Sequence, residues 1–501
     1  VIANNRLPMT DTIQIVCDNL GGRVEAAAGT SLSELAARIG PRTLPFLAAE
    51  VDNRIKELSY RLYAPATVRF VDLSSFAGIR VYQRTAWFIL QKAVQDLYPA
   101  QKLHIRHSLG RSGFYCEIEG IDEFTAAEAD ALRERMQQIV GADLPIRRVR
   151  ALTSEVRARY AAQGYDDKIA LLDTRPRLYS EYHTLDDTVG YFYGALAPST
   201  GYVRLFGIEP YYNGFYLALP LRTAPDRIHT DFYQEKMFGI FREYQSWVRI
   251  MGVPTVGDVN AKVLAGDAGG MIKLAEAFHE RKFAWVADSI YEANLTHGTR
   301  MVLISGPSSS GKTTSAKRLG IQLGVLGLKP VMISLDDYFV EREKTPRDET
   351  GEYDYEALEA IDLELFNDHL RRLMAGESID IPRYDFVTGR RTKHDAPLTL
   401  DERSILIVEG IHGLNPRLTP SIPDEQKFRI YISCFTSVAM DNLSRIATTD
   451  NRLLRRLVRD SRQRGSDALS TLARWPSVRR GEERHIFPYQ ENADVMFNSS
   501  L

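Results

Sequence analysis

The chain has 501 residues, more than a single hydrophobic core sustains, so two or more domains are expected. With 44% hydrophobic and 26% charged residues, the composition is that of a globular protein and excludes a disordered or fibrous chain. A formal net charge of −2, from 63 basic and 65 acidic residues, argues against whole-molecule binding to nucleic acid or a membrane surface and leaves only a local basic patch open. Cys17, Cys116 and Cys434 are too sparse for a disulfide framework or a zinc spacing and read as reduced thiols of a cytoplasmic protein. No run approaches 18 apolar residues, so no membrane span is expected. Val1–Thr10 lacks a signal pattern and an initiating Met and reads as either a cloning remnant or a processed end, whereas Leu501 follows a strand-like segment directly, as if the natural chain continued.

In chain order, residues 11–70 begin with an alternating strand (Ile13 to Cys17), a turn at Gly21-Gly22 and a second strand (Val24 to Ala27). Thr30-Ser31 then caps a helix starting near Leu32, the order of a small β-grasp module. Residues 71–225 mix helix (Ala86 to Leu97, Ala126 to Val140) with aromatic strands through Tyr202, Phe206 and Phe215-Tyr216 after the turn Pro198–Gly201, an α+β pattern. Residues 226–298 read as a helical connector, with Ile272 to Ala293 ended by His297-Gly298. From 299 to 501, short apolar strands alternate with helices: Met301–Ser305, Val331–Leu335, Ser404–Val408, Phe428–Ile432 and Asp494–Phe497. Uninterrupted apolar strands separated by helices predict a parallel sheet covered on both faces, and hence a multidomain α/β chain.

The first of these strands runs into Gly306-Pro-Ser308-Ser309-Ser310-Gly311-Lys312-Thr313-Thr314, which fits G-x-x-x-x-G-K-[ST] at every fixed position and precedes a helix running to about Gly324. Glycines let successive N–H groups point at phosphate oxygens, and the helix N-terminus adds partial positive charge. Lys312 would reach the β and γ phosphates of ATP, and Thr313 would offer its hydroxyl to Mg²⁺. Asp336 and Asp337 end the next strand, where a carboxylate can face the γ-phosphate as base or metal ligand. Glu409 ends the strand Ser404–Val408 in the manner of a Walker B acid. Arg452 to Arg464 holds six arginines, of which Arg455, Arg459 and Arg462 fall on one helix face. That face suits a lid over phosphates; a solvated basic surface and an RNA contact are the competing readings.

With these residues in view, the last 200 residues resemble the uridine kinase and phosphoribulokinase group of P-loop kinases, through GPSSSGKTT (306–314), SLDDYF (334–339), IPRYDFV (381–387), VEGI (408–411), RRLVRDSRQRG (455–465) and PYQENADV (488–495) in order. The resemblance implies Asp336 as general base toward a nucleoside 5′-hydroxyl, and Thr313, Asp336 and Glu409 around Mg²⁺. It implies Glu356 as the ribose-binding acid, Arg456, Arg459 and Arg464 as phosphate and lid arginines, and Tyr384 and Phe386 flanking the base. The pyrimidine-reading His of that group is replaced by Gly389, followed by Arg390 and Arg391, and its base-reading Gln is replaced near Arg474. A pocket stripped of hydrogen-bonding groups loses discrimination, so pyrimidine specificity is open.

Residues 11–70 resemble a TGS β-grasp domain, and 71–225 resemble the second additional domain of threonyl-tRNA synthetases, on the run Arg84–Pro99 and the turn Pro198–Gly201. Editing members of that group carry a His-x-x-x-His pair near 83–87, where this chain has none, so the region is expected to bind or regulate without editing. Three functions follow as alternatives: a nucleoside kinase, a kinase of the same fold acting on another hydroxyl compound such as a sugar phosphate, and a tRNA- or RNA-binding regulator that uses ATP as a switch. The partner of the first two is a small-molecule hydroxyl substrate, and a homo-oligomer is compatible with each.

Overall fold

The computed structural model describes residues 12–110, 112–230, 233–349, 351–385, 388–393 and 396–500. Two compact units emerge, one comprising Val1–Tyr233, Thr255–Ala261 and Ala439–Arg445, the other Gln234–Pro254, Lys262–Val438 and Ile446–Leu501.

The first unit opens with the antiparallel strands Thr12–Cys17 and Gly22–Ala27, turned by Gly21 and Gly22 at φ of 79° and 128°. Alternating burial along Thr12–Cys17 puts Ile13, Ile15 and Cys17 into the core of a five-stranded mixed sheet. The helix Leu32–Ala37 starts on a capping box, in which Ser31 N–H donates to Glu34 at 2.8 Å and Glu34 N–H donates to Ser31 Oγ at 3.2 Å.

Next, the helix Phe76–Leu97 extends ten residues upstream of the amphipathic stretch the sequence suggested, because Ser75 caps it by accepting from Gly78 N–H. It packs on an antiparallel four-stranded sheet containing Leu103–Leu109, Gly113–Ile118, Gly207–Tyr211 and Gly214–Ala218. Tyr202 and Phe206 are not in strands, contrary to expectation. Thr200 Oγ1 donates to Ile139 O at 2.7 Å and accepts from Leu144 N–H at 2.9 Å, which holds the turn through Tyr202 and delays the strand to Gly207. A third sheet, of Ile146–Leu152, Tyr179–Leu185 and Thr188–Gly190, is flanked by the helices Thr153–Ala162 and Asp166–Asp173. Segment 439–445 completes this unit: Leu443 joins its core, Asn442 O accepts from Ile105 N–H at 2.8 Å, and Asp441 pairs with Lys168.

The second unit is built on β1 (Met301–Ser305), α1 (Lys312–Val325), β2 (Lys329–Ser334), β3 (Ser404–Glu409), β4 (Lys427–Ser433), α2 (Thr448–Gln463), α3 (Ala468–His485) and β5 (Val495–Asn498). The strands form one parallel sheet in the order β2-β3-β1-β4-β5. Successive side chains of a strand point to opposite faces, so an uninterrupted apolar strand needs two apolar covers. Met301, Leu303, Leu406 and Val408 pack against Phe366, Leu370 and Leu373 of the helix Leu363–Met374. Val302, Ile304, Ile405 and Ile407 pack against Leu319 and Leu323 of α1 and against Phe283 and Ile290 of the helix Ala268–His297. This last helix ends at Gly298 (φ 70°) and belongs to the second unit, although its sequence reads as a connector. The helix Glu235–Ile250 does likewise, with Tyr244 Oη donating to Asn498 O at 2.7 Å. The chain leaves β1 for β2 on one side and β3 for β4 on the other, so the carboxyl ends of β1 and β3 border the point where strand order reverses, which is where open parallel sheets bind ligands.

Candidate active site

β1 delivers the chain to that point and α1 carries it away, so the phosphate-binding turn is fixed at both ends. Gly306 lies at φ 158°, and a Cβ there would stand 1.9 Å from Ile432 O; Gly311 lies at φ 95°. Only glycine fits the first position, and the second is strained for any other residue. Ser309 takes φ 60°, a conformation that costs a non-glycine residue about 1 kcal/mol or more and persists only where its surroundings impose it. Those surroundings are arginines of α2: Arg452 Nε donates to Ser308 O and Arg455 Nε donates to Ser309 O, each at 3.0 Å, and an Arg456 guanidinium nitrogen donates to Ser308 Oγ at 2.9 Å. The hydroxyls of Ser309 and Ser310 are buried without a hydrogen-bond partner among the described residues. Two orphaned donors, a concave glycine turn and a helix N-terminus match a phosphate chain.

Lys312 Nζ donates to Gly306 O at 3.0 Å. Burial lowers its pKa, while Glu409, Asp336 and Glu356 act in the opposite sense, which places one ammonium among three carboxylates. Thr313 Oγ1 donates to Glu409 at 2.8 Å, and Ser334 Oγ donates to the same oxygen at 3.3 Å. Burial, reinforced by Asp336, pushes the Glu409 carboxyl up, against the pull of Lys312. Hydroxyl and carboxylate oxygens converging beside a phosphate cradle are the hard donor set that Mg²⁺ prefers. Thr313 and Glu409, with Asp336 close by, are the side chains that would hold it.

Asp336 stands in the single turn Leu335–Tyr338 after β2, where its N–H donates to Ser334 Oγ at 3.3 Å. Asp337 instead accepts the N–H of Tyr384 at 3.4 Å and supports the hairpin of Pro382–Asp385 and Arg390–Lys393. Glu356 has one carboxylate oxygen buried without a hydrogen-bond partner among the described residues. Burial raises its pKa, and Arg456 and Lys312 oppose that rise. Its stem lies where a Cβ on Gly481 would stand, 2.3 Å from Glu356 Cβ, so α3 can run past it only with glycine at that position. Asp460 collects Arg456 Nε at 3.2 Å and Arg459 at 2.8 Å, and Arg464 interacts electrostatically with Asp336 and Glu356.

The structure thus brings together Gly306, Ser308, Ser309, Ser310, Gly311, Lys312, Thr313, Asp336, Glu356, Glu409, Arg456, Arg459 and Arg464. Thr314 is exposed on the first turn of α1. Tyr384 is buried against Phe339, with ring centroids 5.6 Å apart, and Phe386 lies outside the described residues. The arginine face differs from the one the spacing suggested: the loop is touched by Arg452, Arg455 and Arg456, whereas Arg462 is exposed. Arg452 is a residue the sequence did not single out. It is 1% exposed and forms a bidentate pair with Glu482 of α3, thirty positions away, a partnership no local pattern announces. Gly389 (φ 72°) is overlain by Arg342, whose Nε would be 2.7 Å from a Cβ there, and Arg391 is paired with Asp362 at 2.9 Å.

Residues 301–500 match the model of the Phosphoribulokinase / Uridine kinase family. A uridine kinase of Staphylococcus aureus (strain JH9) is 28% identical over 199 residues, 40% of this chain and 86% of that protein. A threonine–tRNA ligase of Symbiobacterium thermophilum is 32% identical over 188 residues of the N-terminal region, 36% of this chain, which spans only 28% of the ligase's length. A solved structure described as a "possible uridine kinase" from Bacillus stearothermophilus is 23% identical, with 40% of this chain and 89% of that one covered at a TM-score of 0.27. The C-terminal part of the chain thus carries a domain that matches the phosphoribulokinase/uridine kinase family, within a multidomain α/β architecture.

Proposed function

We propose that this protein transfers the γ-phosphoryl group of ATP to a hydroxyl of a neutral, nucleoside-like acceptor. Phosphoryl transfer asks a protein mainly to position two reactants and to neutralise charge. Lys312, Arg456, Arg459 and Arg464 supply positive charge around the loop, and the orphaned serine hydroxyls supply donors. Mg²⁺, when bound, would shield the charge between the β and γ phosphates. Asp336 is the candidate base for the acceptor hydroxyl, because it follows β2 at the carboxyl edge of the sheet and interacts with Lys312.

The observation that carries the acceptor assignment is Glu356: a buried carboxylate oxygen with no partner among the described residues is an acceptor awaiting donors, which the hydroxyls of a ribose would provide. An anionic acceptor would meet Glu356 and Asp336 directly. Arg390 and Arg391, whose charge would suit a sugar phosphate, do not offset this, since Arg391 is already paired with Asp362 and Arg390 is exposed. Arg342 occupies the space over Gly389 and is our candidate for the base-reading role that a histidine would otherwise fill there.

The test is ADP release from ATP and Mg²⁺ against a panel of nucleosides and phosphorylated sugars. Turnover is expected with at least one nucleoside and is expected to fall by about 10²-fold or more in Asp336→Asn with ATP affinity retained. Turnover confined to phosphorylated sugars would overturn the acceptor assignment, and an unchanged kcat in Asp336→Asn would remove the base.

A further inference from the structure

The first unit contains a cavity of about 350 Å³ between its third sheet and the helices Thr153–Ala162 and Asp166–Asp173. Four basic side chains line it against two carboxylates, and aromatic rings form part of its wall. Its volume falls in the range of small-molecule sites. In a surface groove these charges would be ordinary, but here two of the polar groups are deep. Lys168 is 3% exposed and its Nζ lies 3.1 Å from Asp441 Oδ2; Tyr160 is 2% exposed and its hydroxyl has no hydrogen-bond partner among the described residues. A core tyrosine usually finds such a partner, so an unmet hydroxyl facing a cavity signals something that enters it.

Nearer the mouth, Arg175 and Arg177 make no ion pair among the described residues, although they line the same space. The Arg150 guanidinium lies over the Tyr179 ring, 5.1 Å from its centroid, and leaves a flat face on the wall. Unpaired guanidinium forks suit a phosphate group, and aromatic walls suit a planar ring. We propose that this cavity binds a small phosphorylated ligand bearing a flat heterocycle, of the nucleoside monophosphate class. Its phosphate would lie toward Arg175 and Arg177, and its polar groups would satisfy Tyr160 and Lys168. The site is separate from the phosphate-binding turn and does not depend on the kinase reading. It gives the synthetase-like region a ligand without requiring any chemistry there.

The experiment is calorimetry on the full chain carrying Lys312→Ala, which disables the phosphate-binding turn, with UMP, AMP and inorganic phosphate as titrants. Saturable binding of at least one mononucleotide is expected, weaker binding of phosphate alone, and competition between the two. Arg175→Ala should weaken mononucleotide binding about tenfold, and Tyr160→Phe, which removes one oxygen from an otherwise intact core, several-fold, with circular dichroism unchanged. No saturable binding up to about 1 mM would overturn the proposal, as would binding that neither substitution diminishes. Phosphate binding as tight as that of a mononucleotide would overturn the assignment of a ring-bearing ligand.

Discussion

Glu356 and Glu409 share a physical predicament, since burial raises both carboxyl pKa values although both face cationic side chains. In the proposed reaction Glu356 would accept from the acceptor hydroxyls and Glu409 would face the metal, and both roles need the ionised form. For Glu356, which faces the acceptor and not the metal, the ionised form is lost as pH falls through the raised pKa, so the acid limb of kcat/KM for the acceptor should lie above the usual glutamate range of about 4.3. A pH profile of turnover checks this, and a limb at the ordinary carboxylate value would remove the link. For stability the sign reverses. A carboxyl whose pKa is raised by folding contributes stability below its unfolded value and loses it as pH rises through the folded value. Replacing it with a neutral isostere at neutral pH should therefore help the fold while harming the site. Glu356→Gln is expected to raise the melting temperature by about 2 °C, equivalent to about 1 kcal/mol in a unit of this size, and to raise KM for the acceptor more than KM for ATP. A lowered melting temperature would show that an unseen donor already satisfies the carboxylate.

At the scale of elements, the phosphate-binding turn is shaped from two sides. Its glycines give it freedom, and α2 takes that freedom away through Arg452, Arg455 and Arg456. Arg452 is itself held by Glu482 of α3, both nearly devoid of exposure, so α3 fixes α2 and α2 fixes the loop. Breaking one side of a buried pair leaves an uncompensated charge, which typically costs about 3–5 kcal/mol. Glu482→Ala is expected to show a loss of that order in denaturant unfolding, together with weaker ATP binding. The double substitution Arg452→Met with Glu482→Leu should recover most of the stability but not the ATP affinity, because the donor to Ser308 O stays absent. Gly306→Ala acts on the other side of the turn. With a Cβ 1.9 Å from Ile432 O, it should abolish Mg²⁺·ATP binding in calorimetry.

At the scale of the molecule, the first unit is discontinuous in sequence. Residues 255–261 and 439–445 belong to it, and 439–445 supplies a core leucine, a strand-edge carbonyl and the carboxylate that pairs with Lys168. A fragment ending at residue 233 would leave the Lys168 ammonium buried without its carboxylate and the site of Leu443 open to water. We expect that fragment to melt lower than the same unit in the full chain and to bind a hydrophobic dye, measured by calorimetry and fluorescence. A melting temperature equal to that of the full chain would show that the inserted segment is dispensable. No described helix is long and apolar enough to cross a membrane.

The amino-acid sequence by itself determined whatever depends on neighbours along the chain. Strand periodicity, the glycine turn after an apolar strand, the acids that end β2 and β3, and the Ser31 capping box are local patterns whose geometry follows from covalent distance. The five strands of the parallel sheet were legible to within two residues at each end for this reason. Only the tertiary structure decided the partnerships between distant residues. These include Arg452 with Glu482, Arg342 over Gly389, Asp441 with Lys168, and the assignment of the helix Ala268–His297 to the kinase-like unit. An amphipathic helix shows that it has an apolar face but not what covers it, and a charge shows its sign but not its counterion, because burial and pairing are set by the packing of the whole chain.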